Sequence, residues 1–278
     1  MVDSANADLV RAVGALRPYL PDLVLVGGCA HRLFRFHPWA DPGEFQPLTT
    51  EDTDLLAPLR LKRRERRLHE LLIDAGFEVR LSGEIPPTTK YYPIHGKSGF
   101  HVEFIADRPG SATKRDGSPD VAAVVSGVTV PKLPYVSLLN LDPWTLDLTP
   151  ERGFPIEGDT VALRVANPVS YLAQKVLVFS RGDRSREKQA KDVLYIHDTL
   201  LLMSARLGDM ESAWGALCQN VHPKWVGDLR SLRDAEFAKV TDRLRRAAII
   251  AQASGRSDPP DADRIREVCR LGLGRVFR

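Results

Sequence analysis

The sequence predicts an α/β (α+β) fold in which a mixed sheet core is followed by a C-terminal helical domain. Three observations carry this. Short apolar runs alternate with helix-period segments over residues 22–106. Residues 107–165 are punctuated by prolines and glycines, from Pro109 and Gly110 to Pro143 and Pro150, with short strand-like runs between them. From Pro168 onward every periodic segment is helical. The change of character near residue 165 divides the chain into expected domains 1–165 and 166–278.

Taken in order, Leu9, Val10, Val13, Leu16 and Leu20 recur at helical spacing and end near Pro18 and Pro21. DLVLV (22–26) reads as a buried strand, broken by Gly27-Gly28, after which 29–36 reads as a helix. A loop rich in Pro, Gly and aromatics follows over 36–48. TEDTDLLAP (50–58) is a strand, and 60–75 a helix carrying Leu61, Leu68, Leu71 and Leu72. FEVRLS, KYYPI and FHVEFIA are further strands, joined by GVTVPKL and DTVALRVA in the turn-rich stretch. Helices are expected over 168–180, 186–207, 209–220, 223–254 and 260–271, the first capped by Asn167 with Pro168 in its opening turn.

A length of 278 residues accommodates one large or two modest domains, at roughly 100–200 residues each. With 43% hydrophobic and 27% charged residues, a packed core is expected rather than disorder. Lys+Arg minus Asp+Glu is 39 − 36 = +3, so any contact with nucleic acid rests on local patches. Cys29, Cys218 and Cys269 lack CxxC spacing, which argues against a disulfide framework and a structural zinc site. Asp3 and Asp8 stand where a secretory signal carries positive charge, and no run nears about 18 apolar residues. A reducing, cytoplasmic setting without membrane contact is expected.

The chemistry is carried by a strand, a glycine pair, a helix, and two acidic strands. Gly27-Gly28 lets backbone approach a ligand at a helix start, a place suited to phosphate. Alone, the pair fits an ordinary strand-to-helix turn equally well. Asp52 and Asp54 stand two apart on a strand, so both carboxylates leave one face ~7 Å apart along the chain. Their repulsion is relieved by a divalent cation, and Mg²⁺ shared with phosphate oxygens is the usual solution. An exposed acidic edge strand is the alternative. Glu103 sits in HVEFIA, with Val102 and Phe104 facing the other way. It can complete a three-carboxylate metal site and take a proton from an attacking hydroxyl; an outward-facing surface Glu is the alternative.

VLVGGCAHRLF, TTEDTDLL and HVEFI together resemble the polymerase-β-type nucleotidyltransferase superfamily, in which GG or GS precedes DxD and a third Asp or Glu. The wide gap between Gly28 and Asp52 resembles the AbiEii-like, toxin-related branch. Thr50 matches that branch's strand, whereas Leu48 stands where Arg is common. The resemblance covers roughly 22–106 and 168–200 and leaves 107–165 unmatched. It implies a nucleotidyltransferase-type sheet core over 1–165 and a helical domain over 166–278 that completes the nucleotide and acceptor site. Asp52, Asp54 and Glu103 would be the catalytic, Mg²⁺-holding acids. Gly27 and Gly28 would face the triphosphate, with Lys175 of YLAQKVLV and Asp192 of QAKDVLYIHD completing nucleotide binding.

The implied reaction moves an NMP from an NTP to a hydroxyl acceptor: the 3′ end of tRNA, a protein side chain or a small molecule. Basic clusters at 62–67 (Lys62, Arg63, Arg64, Arg66, Arg67) and 181–191 (Arg181, Arg184, Arg186, Lys188, Lys191) favour tRNA. Solvated helix faces would look the same. The biological role implied is that of a toxin restrained by an antitoxin protein or by phosphorylation. A transferase for small molecules of the aminoglycoside kind, or a non-catalytic nucleotide-binding module, are the competing readings. The seven histidines show no HxxxH or HExxH spacing, and Trp225, Leu229, Leu232, Val240 and Leu244 read as core.

Overall fold

The computed structural model describes residues 4–278 apart from 44, 49, 51, 84–86, 96–98, 111–112, 157, 180 and 183. Asp3, Glu51 and Ser180, which fall within features expected above, lie outside the described residues. The chain forms two compact units, residues 1–30 with 50–166 and residues 31–49 with 167–278.

The first unit is built on a mixed sheet. Helix α1 (Ser4–Ala15) leads into strand β1 (Val24–Val26), and α2 (Gly27–Leu33) starts directly at the glycine pair. Strands β2 (Asp52–Leu56), β3 (Phe77–Leu81), β4 (Thr89–Pro93) and β5 (His101–Asp107) follow, with α3 (Leu68–Asp74) between β2 and β3. The unmatched stretch supplies β6 (Ala122–Val125), β7 (Val128–Leu133), β8 (Trp144–Leu148) and β9 (Val161–Val165). Strand order is β3-β4-β5-β2-β1-β9-β8, with β7 beside β5 and β6 beside β7. β2 is therefore central: antiparallel to β1 and parallel to β5. Leu55 and Leu56 behind the DxD explain that position, since a strand covered on both faces reads as a continuous apolar run. Strands β6 and β7 meet in a two-residue turn at Ser126 and Gly127, with φ of 47° and 81°, the left-handed pair that a tight hairpin needs.

Helix α3 is shorter than expected, and the basic run 61–67 precedes it as irregular chain with a bend at Glu65 and Arg66. Buried Tyr19 accounts for this. Its hydroxyl donates to the Arg66 carbonyl at 2.7 Å and accepts from the Arg64 N–H at 3.2 Å, while Arg64 Nε donates to the Pro18 carbonyl. Those bonds hold the segment outside helical geometry. The helix then begins where the Glu70 carboxylate accepts from the Arg67 N–H at 2.8 Å, a capping interaction.

The second unit is helical. α4 (Pro168–Phe179) is buried along its whole length, polar Ser170, Gln174 and Lys175 included. Asn167 Oδ1 accepts from the Val169 N–H at 2.9 Å, so the expected cap is present. α5 (Arg186–Leu202), α6 (Leu207–Leu217) and α7 (Pro223–Glu236) pack against it, and α8 (Asp242–Ala253) and α9 (Ala262–Val276) pack against α5. The single helix expected over 223–254 is two, because Thr241 caps a new start at α8 by accepting from the Leu244 N–H. Gly272 permits the close approach of α9 to α5: a Cβ there would stand 2.8 Å from Leu200 Cδ2. Among the described residues no helix is long and apolar enough to cross a membrane.

Candidate active site

The parallel pairing of β2 with β5 sets Asp52 opposite His101 and Asp54 opposite Glu103. Directly paired residues share a sheet face and alternate residues return to it. Asp52, Asp54 and Glu103 therefore stand on one face, while Thr53, Val102 and Phe104 fill the other and are almost wholly buried. The expected partition of HVEFIA is thus observed. The antiparallel pairing of β1 with β2 sets Val26 opposite Asp54, and this brings the glycine pair to the same spot. Gly27 has φ of 67°, and a Cβ on it would lie 2.0 Å from Asp54 Oδ2. No side chain fits there. The glycine is required both by its backbone conformation and by the carboxylate against it.

Asp52 and Glu103 are steadied by neighbouring side chains. Thr50 Oγ1 donates to Asp52 Oδ1, which gives the strand's threonine a role. Glu103 receives Thr88 Oγ1 at 3.3 Å and the Lys90 ammonium at 3.5 Å. Lys90 is on β4, paired with Glu103 in the antiparallel register, so it rises from the same face. His101 stacks on Tyr92 at 5.1 Å and meets the Gly99 carbonyl at 3.1 Å through Nδ1. Among the described residues, no three His, Cys, Asp or Glu side chains are gathered closely enough to hold a metal ion. The donor chemistry of this face nonetheless suits a hard cation: carboxylate oxygens, with no thiolate among them.

In the helical unit Lys175 and Asp192 meet directly. Lys175 Nζ donates to Asp192 Oδ1 at 2.7 Å, and Arg184 Nη2 donates to Asp192 Oδ2 at 2.6 Å. Asp192 is 1% exposed and Lys175 8%. The Lys175 ammonium also lies 5.2 Å from the Tyr171 ring centroid and 5.1 Å from that of Tyr195, a placement in which ring quadrupoles offset lost hydration. Close by, His31 is fully buried among Phe34, Phe45, Tyr171 and Tyr195. Burial, opposed by nearby Asp198 and reinforced by Arg256 and Lys175, pushes its pKa down to about 4. A cavity of about 310 Å³ in this unit is lined by residues including Asp41, His197, Asp198, Arg256 and Arg264. None of the site residues expected from the sequence lines it.

A family model described as a nucleotidyltransferase matches residues 4–218. The chain belongs to this nucleotidyltransferase family. No curated protein matches it. As a nucleotidyltransferase the protein is a transferase enzyme that draws on an NTP and transfers its NMP moiety. The match runs through both the carboxylate face and the Lys175–Asp192 pair, and it includes the stretch 107–165 that resembled nothing nameable.

Beside the site residues expected from the sequence stand others that sequence reasoning passed over. Lys90 sits in a strand of ordinary appearance, and Thr88 directly precedes that strand. Only the pairing of β4 with β5 shows that they address Glu103. Arg184 was visible only as one member of a basic run; its engagement with Asp192 singles it out. In the other run, Arg64 pairs with Asp22 at 2.6 Å and Arg66 with Asp74.

Proposed function

We propose that this nucleotidyltransferase uses Asp52, Asp54 and Glu103 to direct in-line transfer of an NMP to a hydroxyl acceptor. The observation that carries the reading is the register that sets Glu103 beside Asp54, with Asp54 pressed against Gly27. Asp52 and Asp54 would hold Mg²⁺ with Glu103 as third acid, and the bound ion would neutralise charge on the triphosphate. Gly27 and Gly28 leave room for phosphate oxygens, and Lys175, oriented by Asp192, supplies a positive charge for nucleotide binding. The acceptor oxygen bonds to the α-phosphorus as the bond to the bridging oxygen breaks. Pyrophosphate leaves with that electron pair, and the hydroxyl proton passes to Glu103. Positioning and charge compensation do most of the work in such a transfer.

The acceptor we assign is the 3′ end of tRNA, with exposed residues of the runs 62–67 and 181–191 following its backbone. The role is that of an AbiEii-like toxin in the cytoplasm, restrained by an antitoxin protein. The sheet unit carries the chemistry, and the helical unit contributes to nucleotide and acceptor binding. Support for this finer reading comes from the motif resemblance and from the local basic runs in a nearly neutral chain.

The test is incubation of the protein with Mg²⁺, each labelled NTP and total tRNA. Label is expected on tRNA with wild type and at background with Asp52→Ala and Asp54→Ala. Transfer that survives in both variants would remove the carboxylate face from the mechanism. Label appearing on a small molecule or protein would redirect the acceptor and leave the chemistry standing.

A further inference from the structure

We propose that Arg184 is a nucleotide-phosphate ligand, acting with Lys175 in a two-cation site that Asp192 positions. This rests on the nucleotidyl-transfer reading above and names which groups of the helical unit would meet the polyphosphate. It separates Arg184 from the run 181–191, where the sequence alone made it one of several basic residues on an RNA track.

Lys175 and Arg184 bracket one carboxylate, each on its own oxygen, so the trio carries a surplus of one positive charge. Asp192 is 1% exposed and Lys175 8%, so solvent does little to offset that surplus. A buried unbalanced charge is costly, and an anion is the partner that removes the cost. Arg184 Nε is buried and has no hydrogen-bond partner among the described residues, while Nη2 is spent on Asp192. The side chain is 28% exposed, so part of the guanidinium still meets the outside. A planar fork with one tine occupied is suited to phosphate oxygens.

Gln189 Nε2, from the first turns of α5, donates to the carbonyls of Arg181 and Arg184 at 2.9 and 3.1 Å. Ser185 next to Arg184 caps α5 by accepting from the Lys188 N–H at 3.2 Å. The guanidinium therefore springs from backbone that is tied down at the electropositive end of a 17-residue helix. Lys175 is held just as firmly, by Asp192 and two tyrosine rings. Lys191, in the same run, is satisfied by Glu187 at 2.8 Å and has no comparable surplus. Asp192 itself offers no donor to a phosphate and would repel it. It is a positioning residue that aligns the two cations.

The experiment uses the full chain. Binding of tripolyphosphate and of a non-hydrolysable NTP is measured by calorimetry on wild type, Arg184→Gln, Arg184→Lys and Lys191→Gln, with thermal unfolding run alongside. Arg184→Gln is expected to weaken both ligands about tenfold, the loss of one charge-assisted contact. Arg184→Lys recovers part of this, and Lys191→Gln changes neither ligand. KM for the NTP rises in Arg184→Gln, while tRNA binding shifts by less than twofold. Unchanged tripolyphosphate binding in a folded Arg184→Gln overturns the proposal and makes the contact a staple between α5 and the segment that precedes it. So does a loss confined to tRNA. Loss of binding only in step with a collapse of the melting temperature in both Arg184 variants overturns it as well. Failure of the underlying reading looks different: label transfer then persists in Asp52→Ala and Asp54→Ala, whatever Arg184 does.

Discussion

Gly27 shows how a single residue can be demanded from two directions. Its φ of 67° disfavours any side chain, and the space where a Cβ would stand is taken by the Asp54 carboxylate. Gly27→Ala should therefore abolish transfer while lowering stability by about 1–3 kcal/mol, since the backbone strain and the displaced carboxylate add. Activity and chemical denaturation on the same preparation check both. His31 makes a second residue-scale prediction. Its folded pKa, about 4, lies below the ordinary 6.5, chiefly because burial disfavours the charged ring. Between those values the unfolded chain binds more protons, so stability is full above pH 6.5 and falls as pH drops toward 4. The loss from this residue is about 3 kcal/mol. His37, also lowered to about 4 by burial, acts in the same window. Urea titrations across pH 4–7 should show this slope, and His31→Phe should remove its own share.

Elements place what residues alone cannot. The periodicity over 60–75 is helical, yet only Leu68–Asp74 forms a helix, because Tyr19 claims the backbone of Arg64 and Arg66 first. The basic run becomes an irregular segment in which Arg64 and Arg66 are paired with acids. The helix start then depends on Glu70. Glu70→Ala should cost about 0.5–2 kcal/mol by leaving the Arg67 N–H without its carboxylate. Thermal unfolding measures it, and Glu70→Gln should recover most of the loss. Strand pairing has the larger consequence. Lys90 and Thr88 reach Glu103 because β4 runs antiparallel to β5 in one register, and a slip of one residue would turn Lys90 to the opposite face.

At the scale of the molecule, two units divide the residues that the motifs singled out. The sheet unit holds the three acids and the glycine pair, and the helical unit holds the Lys175, Arg184 and Asp192 cluster. A net charge of +3 over 278 residues hides this unevenness. What distinguishes the chain is local: acids collected on one sheet face, and surplus positive charge beside one helix start. The family match over residues 4–218 takes in both features.

The sequence by itself determined the fold class, the glycine pair, the spacing of Asp52 and Asp54, and the alternation that turns Glu103 away from Val102 and Phe104. These are legible because periods of two and 3.6 are written in neighbouring residues. Tertiary structure alone decided that Glu103 stands opposite Asp54, that Lys90 and Thr88 hold it, and that Arg184 shares a buried carboxylate with Lys175. Those contacts join residues distant along the chain. Their partners are chosen by strand register and helix packing, which depend on burying apolar surface across whole elements and leave no mark in local spacing.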